Sequence, residues 1–256
     1  MKMNLVRGLL IAFSMYSKIP MPKTEWTKES MKYFLCFFPL VGIPIALLWI
    51  IWMPLAEILQ AGVILRTTVL VLIPVAVTGG IHLDGLLDTA DALSSYKPME
   101  EKLEILKDSH AGAFAILVGI SYFLLYFGIL SEADFISMQI LGVGCILSRA
   151  LSGLAMVSFQ MAKNTGLAAT FSNMAVKGRV RAVMVFYVLA AALAMILLEP
   201  AGGTAAVVGA FLTFLFYRRM SYRKFGGITG DLAGFFLQVC ELVMALCVIF
   251  THMGMR

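Results

Sequence analysis

The chain has 256 residues, of which 61% are hydrophobic and only 14% charged, where soluble globular domains carry about a quarter charged residues. With a mean hydropathy of +0.91, this composition excludes an ordinary soluble enzyme and marks an integral membrane protein. The formal net charge of +5 does not point to nucleic acid, because the cations gather in alternate loops between apolar runs, where membrane topology accounts for them.

At the N-terminus, Lys2 and Arg7 precede a short apolar run, Leu9 to Tyr16, without a small-residue cleavage site after it. Residues 1–32 therefore read as a retained interfacial segment, not a signal peptide. Seven apolar spans follow, at about 33–57, 64–80, 112–130, 135–159, 181–198, 201–217 and 231–251. Each is continuous over about 20 residues, not alternating, which predicts helices that satisfy their own backbone in lipid, not a barrel. The expected architecture is an all-α polytopic membrane bundle forming one domain over residues 1–256. Only Glu199 and Pro200 separate the fifth and sixth spans, so these form a tight hairpin.

All Lys and Arg except Arg66, Arg149 and Arg256 lie in the N-terminal tail or in the loops after the second, fourth and sixth spans. The positive-inside rule makes that side cytoplasmic, with the N-terminus inside and the C-terminus outside. Cys36, Cys145, Cys240 and Cys247 sit singly in apolar runs and predict packing residues, neither zinc ligands nor disulfides. His252 reads as an exposed tail residue.

The polar stretch Gly79 to Gly112 is where chemistry concentrates. After Pro74, the second span ends in Thr78-Gly79-Gly80, which predicts a break that delivers His82 and Asp84 at the membrane edge. Asp84, Asp88 and Asp91 are spaced four and three apart and share one helical face. No Lys or Arg lies between Arg66 and Lys97 to pair with them. Such hard oxygen ligands suit Mg²⁺ beside a phosphate substrate, and a solvated helix face is the plainer alternative. Gly85 would allow a ligand to approach the backbone closely. Asp108, Ser109 and His110 lie where the third span begins, with Asp108 or Ser109 in position to cap it or to meet an anion. Phe225-Gly226-Gly227-Ile228-Thr229-Gly230-Asp231 forms a second glycine-rich turn into a helix, with amides suited to phosphate and Asp231 as a cap or a metal ligand. Arg149 and Glu241 fall inside spans, as a structural ion pair or with Arg149 reaching a substrate phosphate.

GGIHLDGLLDTADAL, LKDSHAGAF and FGGITGD, in that order, together with FPLVGIPIA at 38–46 and KIPMP at 18–22, resemble the cobalamin synthase family, the adenosylcobinamide-GDP ribazoletransferases. The likeness spans nearly the whole chain. It implies attack by a hydroxyl of α-ribazole or its 5′-phosphate on the cobinamide-bound phosphorus of adenosylcobinamide-GDP, with GMP leaving and Mg²⁺ as cofactor. It further implies a bacterial or archaeal cytoplasmic membrane and contact with other corrinoid-assembly enzymes; the charge distribution over the loops puts the active site on the cytoplasmic face. On this resemblance Asp84, Asp88, Asp91 and Asp108 are catalytic, and the same four with Asp231 hold metal. His82, Gly85, Ser109, His110, Arg149, Gly227, Thr229 and Gly230 contact substrate. His110 stands where the family pattern commonly has Arg, and Ser17-Lys18 where it has Thr-Arg. A CDP-alcohol phosphotransferase-like enzyme is the alternative within enzymes, although Asp88-Thr89 replaces the Ala-Arg expected there. An ion-coupled transporter is the alternative outside them, but its acids should lie at mid-membrane.

Overall fold

A computed structural model describes residues 2–108, 110–163 and 166–254. The elements are α1 (Lys2–Tyr16), α2 (Lys28–Met31), a 3-10 helix (Phe34–Val41) running directly into α3 (Gly42–Ile58), α4 (Val63–Thr78), α5 (Ile81–Ser94) and α6 (Met99–Ile105). They continue with α7 (Ala113–Ser131), α8 (Phe135–Ser158), α9 (Leu167–Met174), α10 (Lys177–Leu198), α11 (Pro200–Phe225) and α12 (Gly230–Gly254). Six helices are long and apolar enough to cross a bilayer, and the pair α4–α5, bent by 94°, is the seventh candidate. The all-α bundle expected from hydropathy is what forms. No strand occurs among the described residues, and a single bridge links Met161 to Ile228.

The sixth span runs further than apolarity suggested, to Phe225 instead of 217. Arg and Lys are good helix formers, so the basic stretch after Tyr217 continues the helix beyond its apolar part, and the Arg218 guanidinium lies 5.6 Å from the Phe159 ring centre and 5.4 Å from that of Tyr222. Glu199 ends α10 and caps α11, accepting from the amides of Ala201 and Gly202, with Pro200 in the first helical turn. The expected hairpin is thus fixed by three consecutive local devices.

Hydrocarbon gives helices little reason to associate, so close backbone approach must do so. A Cβ on Gly42 of α3 would lie 2.8 Å from the Cys145 carbonyl oxygen of α8, and one on Gly142 of α8 would lie 2.9 Å from Ala46 of α3. Trp49 and Trp52 of α3 donate their indole N–H to the carbonyls of Leu70 and Arg66 on α4, at 2.8 and 2.9 Å. α8 is the most enclosed span, followed by α12. His252 differs from expectation: it is not a free tail but lies 3.1 Å from the Ser137 hydroxyl and 3.2 Å from Glu199, tying the end of α12 to the starts of α8 and α11.

The contact that positions the site is the crossing of α5 over α12. A Cβ on Gly85 would fall 2.5 Å from the backbone oxygen of Asp231, and one on Gly234 would fall 3.0 Å from that of His82 and 3.3 Å from the Gly85 Cα. Gly85 on α5 and Gly234 on α12 supply the small faces that this approach requires. Gly85→Ala should therefore force the helices apart and lower stability by about 1–3 kcal/mol. Gly128→Ala in α7, where an added Cβ meets nothing within 4 Å, should be neutral or stabilising by up to about 1 kcal/mol. Thermal unfolding of the two purified variants beside the parent checks the contrast.

Candidate active site

The corner between α4 and α5 is made by Gly79 and Gly80, both left-handed at φ 66° and 78°, where any residue with a Cβ is strained. Gly79 is needed twice, because the aliphatic stem of Lys18 lies where its Cβ would be. The Lys18 amide donates to the Val77 carbonyl at 2.8 Å, so the KIPMP stretch runs across the corner. The turned helix carries His82 inward, 4% exposed, with its ring 6.0 Å from Tyr16 and 5.9 Å from Phe38. Its Nε2 is buried without a hydrogen-bond partner.

A cavity of about 660 Å³ opens beside the α5–α12 crossing. Asp84 and His82 of α5 and Thr229, Gly230 and Asp231 of α12 and its leading turn contribute to its wall. Tyr16, Phe38, Met156 and Phe171 give it apolar surface, and Lys107 and Lys163 give it cations. The charges of Asp84, Asp231 and Asp91 all act on Asp88, and Asp84 acts on Asp231. Among the described residues none of these four carboxylates has an ion-pair partner.

The predicted site residues divide. Asp84, Asp231, His82, Thr229 and Gly230 meet at the cavity; Asp88 stands behind them on α5. Asp91 does something else: its oxygens accept from the amides of Gly112 and Ala115, at 2.5 and 2.8 Å, capping α7 from a separate helix. The local cap expected from Asp108 is thereby corrected, since the N-cap position of α7 is Gly112 and the capping carboxylate comes from 21 residues upstream. Asp108 is exposed and bonded to His110, which accounts for a carboxyl held below its ordinary range. Neither residue lines the cavity, and Ser109 lies outside the described residues. Asp84, Asp88, Asp91, Asp108 and Asp231 thus do not converge on one point, and no three acidic, His or Cys side chains among the described residues are grouped to hold an ion.

Two glycines have structural uses. Gly85 is approached by the α12 backbone, not by open space. A Cβ on Gly227 would meet the Gln160 oxygen and the Ala162 nitrogen, each at 2.6 Å. The Ile228 amide donates to Gln160 and its carbonyl accepts from Ala162, both at 2.9 Å. This part of the glycine-rich turn is committed to the loop after α8 and is not a phosphate nest. Thr229 caps α12, its hydroxyl accepting from the Leu232 amide. Arg149 and Glu241, 1% and 6% exposed, pair at 2.7 Å. Ser148 donates to the same Glu241 oxygen, and Arg149 also donates to the Cys145 carbonyl. Arg149 does not line the cavity.

Sequence reading missed Lys107 and Lys163 as wall residues. Glu104 joins them, 2.9 Å from each, and they draw its carboxyl down to about 2, Lys163 having the larger effect. Lysine in a polar loop carries no local sign of this. The one available hint was that Lys107 directly precedes the Asp108-Ser109 motif.

The sequence profile of cobalamin-5-phosphate synthase matches residues 8–249. The chain belongs to that family. Similar proteins, each named adenosylcobinamide-GDP ribazoletransferase, include one from Lachnoclostridium phytofermentans, 46% identical with 96% of this chain and 95% of the relative covered. Others come from Clostridium botulinum strain Alaska E43, at 32% identity, and Desulfitobacterium hafniense, at 33%, each covering 94% of this chain and 96% of the relative. No solved structure matches.

Within this cobalamin-5-phosphate synthase family member, the Arg149–Glu241 pair is a buried brace between α8 and α12. Removing one partner of such a pair strands a charge and costs about 3–5 kcal/mol, whereas an apolar pair of similar volume is tolerated. Glu241→Leu alone should fail to accumulate in membranes. Arg149→Met with Glu241→Leu should accumulate and keep turnover, as membrane immunoblotting and GMP release would show.

Proposed function

We propose that the chain transfers the adenosylcobinamide-phosphate group from adenosylcobinamide-GDP to α-ribazole or its 5′-phosphate. The products are adenosylcobalamin, or its 5′-phosphate, and GMP. The observation that supports this reading is the meeting of Asp84 and Asp231, from separate helices, on one cavity whose wall also carries two lysines, in a chain whose family profile covers residues 8–249. The phosphotransferase of the CDP-alcohol type and the ion-coupled transporter have no comparable support.

A volume of about 660 Å³ lies in the range of small-molecule sites, about 300–1,000 Å³. It suits a nucleotide and its diphosphate. The corrinoid is far larger and remains outside. The donor set fits Mg²⁺, which ordinarily takes one or two carboxylates, completes its shell with water and substrate phosphate, and does not need an all-protein cage. Asp84 and Asp231 would hold it, with Asp88 adding negative potential behind them, and its chemistry when bound is to neutralise phosphoryl charge. A carboxylate not engaged in this way takes the proton of the attacking hydroxyl; the new P–O bond forms as the bond to the GMP oxygen breaks. Burial among Tyr16, Phe38, Met156 and Phe171 excludes water that would otherwise compete with the hydroxyl.

The cytoplasmic orientation belongs to the same proposal, supported by the concentration of Lys and Arg in the loops that carry the site. In a variant without the native cysteines, Ser95→Cys should be protected from an impermeant thiol reagent in intact cells and label after permeabilisation; labelling without permeabilisation would reverse the topology.

Asp84→Asn and Asp231→Asn should each insert normally and lose GMP release by about 10²-fold or more, with a raised Mg²⁺ requirement. Groups acting as a unit give non-additive losses, so the double variant should be little worse than either single one. Normal turnover and metal dependence in both single variants would refute the assignment of this cavity as the active site.

A further inference from the structure

The positive side of the cavity is unlike its other walls. Lys107 follows α6, and Lys163 lies on the loop after α8, 56 residues later in the sequence. Both line the cavity. Glu104 does not, yet its carboxylate bonds both ammonium groups, at 2.9 Å each. Its side chain is 65% exposed while that of Lys163 is 28% exposed. Lys107, 59% exposed, stands at the rim with it, so Glu104 holds the half-buried Lys163 from the solvent side and ties the more exposed Lys107 beside it, both at the cavity wall. An ammonium has three donors, and Lys163 uses one further contact, a long 3.5 Å approach to the Leu103 carbonyl.

Charge balance gives this arrangement a use, on the reading that the substrate is a nucleoside-diphosphate ester. A diphosphate esterified at both ends carries two ionised phosphoryl oxygens, and Asp84 and Asp231 add two carboxylates. One divalent cation offsets half of that charge. Two ammonium groups match the remainder once Glu104 is displaced from them. When transfer occurs, the departing nucleotide becomes a phosphate monoester and gains a further negative charge, so the cations become more useful as the bond breaks.

We propose that Lys107 and Lys163 form the diphosphate-binding pair of this cavity and that Glu104 is their resident counter-ion, competing with the substrate phosphates. The pair acts in binding and on the leaving group. The loop after α8, anchored by the Gln160–Ile228–Ala162 hydrogen bonds, carries Lys163 to the mouth from a fixed base. Glu104 keeps two like charges together when no phosphate is bound.

The competing interpretation is a surface brace in which Glu104 merely ties α6 to that loop. The two differ in sign. With purified full-length protein in liposomes, Lys163→Gln should raise the Kd for GDP, measured without acceptor, and the KM for adenosylcobinamide-GDP by about tenfold, the loss of one charged hydrogen-bonding group. Glu104→Gln should lower both, because removing the counter-ion frees the ammonium groups. Lys97→Gln, at a residue just before α6 that pairs with Glu101 four residues on and does not line the cavity, controls for general attraction of anions and should change neither. An unchanged GDP affinity in Lys163→Gln, or a weakened one in Glu104→Gln, overturns the proposal. A parent protein that binds GDP but releases no GMP with any ribazole acceptor would instead refute the proposed reaction, while the GDP series would still decide the role of the lysines.

Discussion

The candidate site depends on backbone touching backbone where α5 crosses α12. Side chains separate most helices by 8–10 Å; here Gly85 and Gly234 remove that spacing, and the Gly85 Cα lies against the turn that starts with Asp231. This closeness sets Asp84 beside Asp231. It also works against them, since unpaired carboxylates at short range repel. The repulsion persists because the cost is met by apolar and small-residue packing along both helices, and such stored strain is characteristic of functional sites, where a ligand relieves it.

A second polar centre, deeper in the bundle, has the opposite character. Arg149, Glu241 and Ser148 satisfy one another and the Cys145 carbonyl, and Tyr122 donates to Gln238 at 2.6 Å on the same face of α12. Groups so paired hold α7, α8 and α12 in register where hydrophobic burial discriminates weakly between alternatives. The two centres share α12, so the helix that orders the interior also presents Asp231. Rigidity below and unsatisfied charge above are coupled through one element.

Much of the fold was legible because lipid imposes simple rules. A span must be apolar, helical and about 20 residues long, and the break at Gly79-Gly80 follows from two adjacent residues free of a Cβ. The acidic segment was also visible, since spacing of four and three on a helix is local information. What stayed hidden was long-range. Asp91 looks identical to Asp84 in sequence, yet the start of α7 takes its oxygens. Gly227 looks like part of an anion-binding turn, yet the Gln160–Ala162 backbone of the neighbouring loop fills that side. His252 looks terminal, yet the caps of two other helices reach it. In each case a polar group was read by its chemistry, while its role was set by which helix end needed a partner.

Helix ends explain why that error recurs. Every helix presents four amides at its start without intrahelical partners, and near a membrane water is a poor substitute for protein acceptors. A bundle with this many helices therefore consumes carboxylates: Asp91 serves α7, Asp134 serves α8 and Glu199 serves α11. Those left without such work are the informative ones. Asp84 lies within the first turn of a helix whose preceding residue, Gly80, offers no side-chain cap, and it faces a cavity; Asp231 lies in the first turn of α12, whose cap is supplied by Thr229. Neither carboxylate caps another helix, Asp231 receiving the Thr229 hydroxyl at 3.4 Å beside its own amide, so their charge is available to a ligand, and the chemistry is assigned to the acids that the other helix ends do not use.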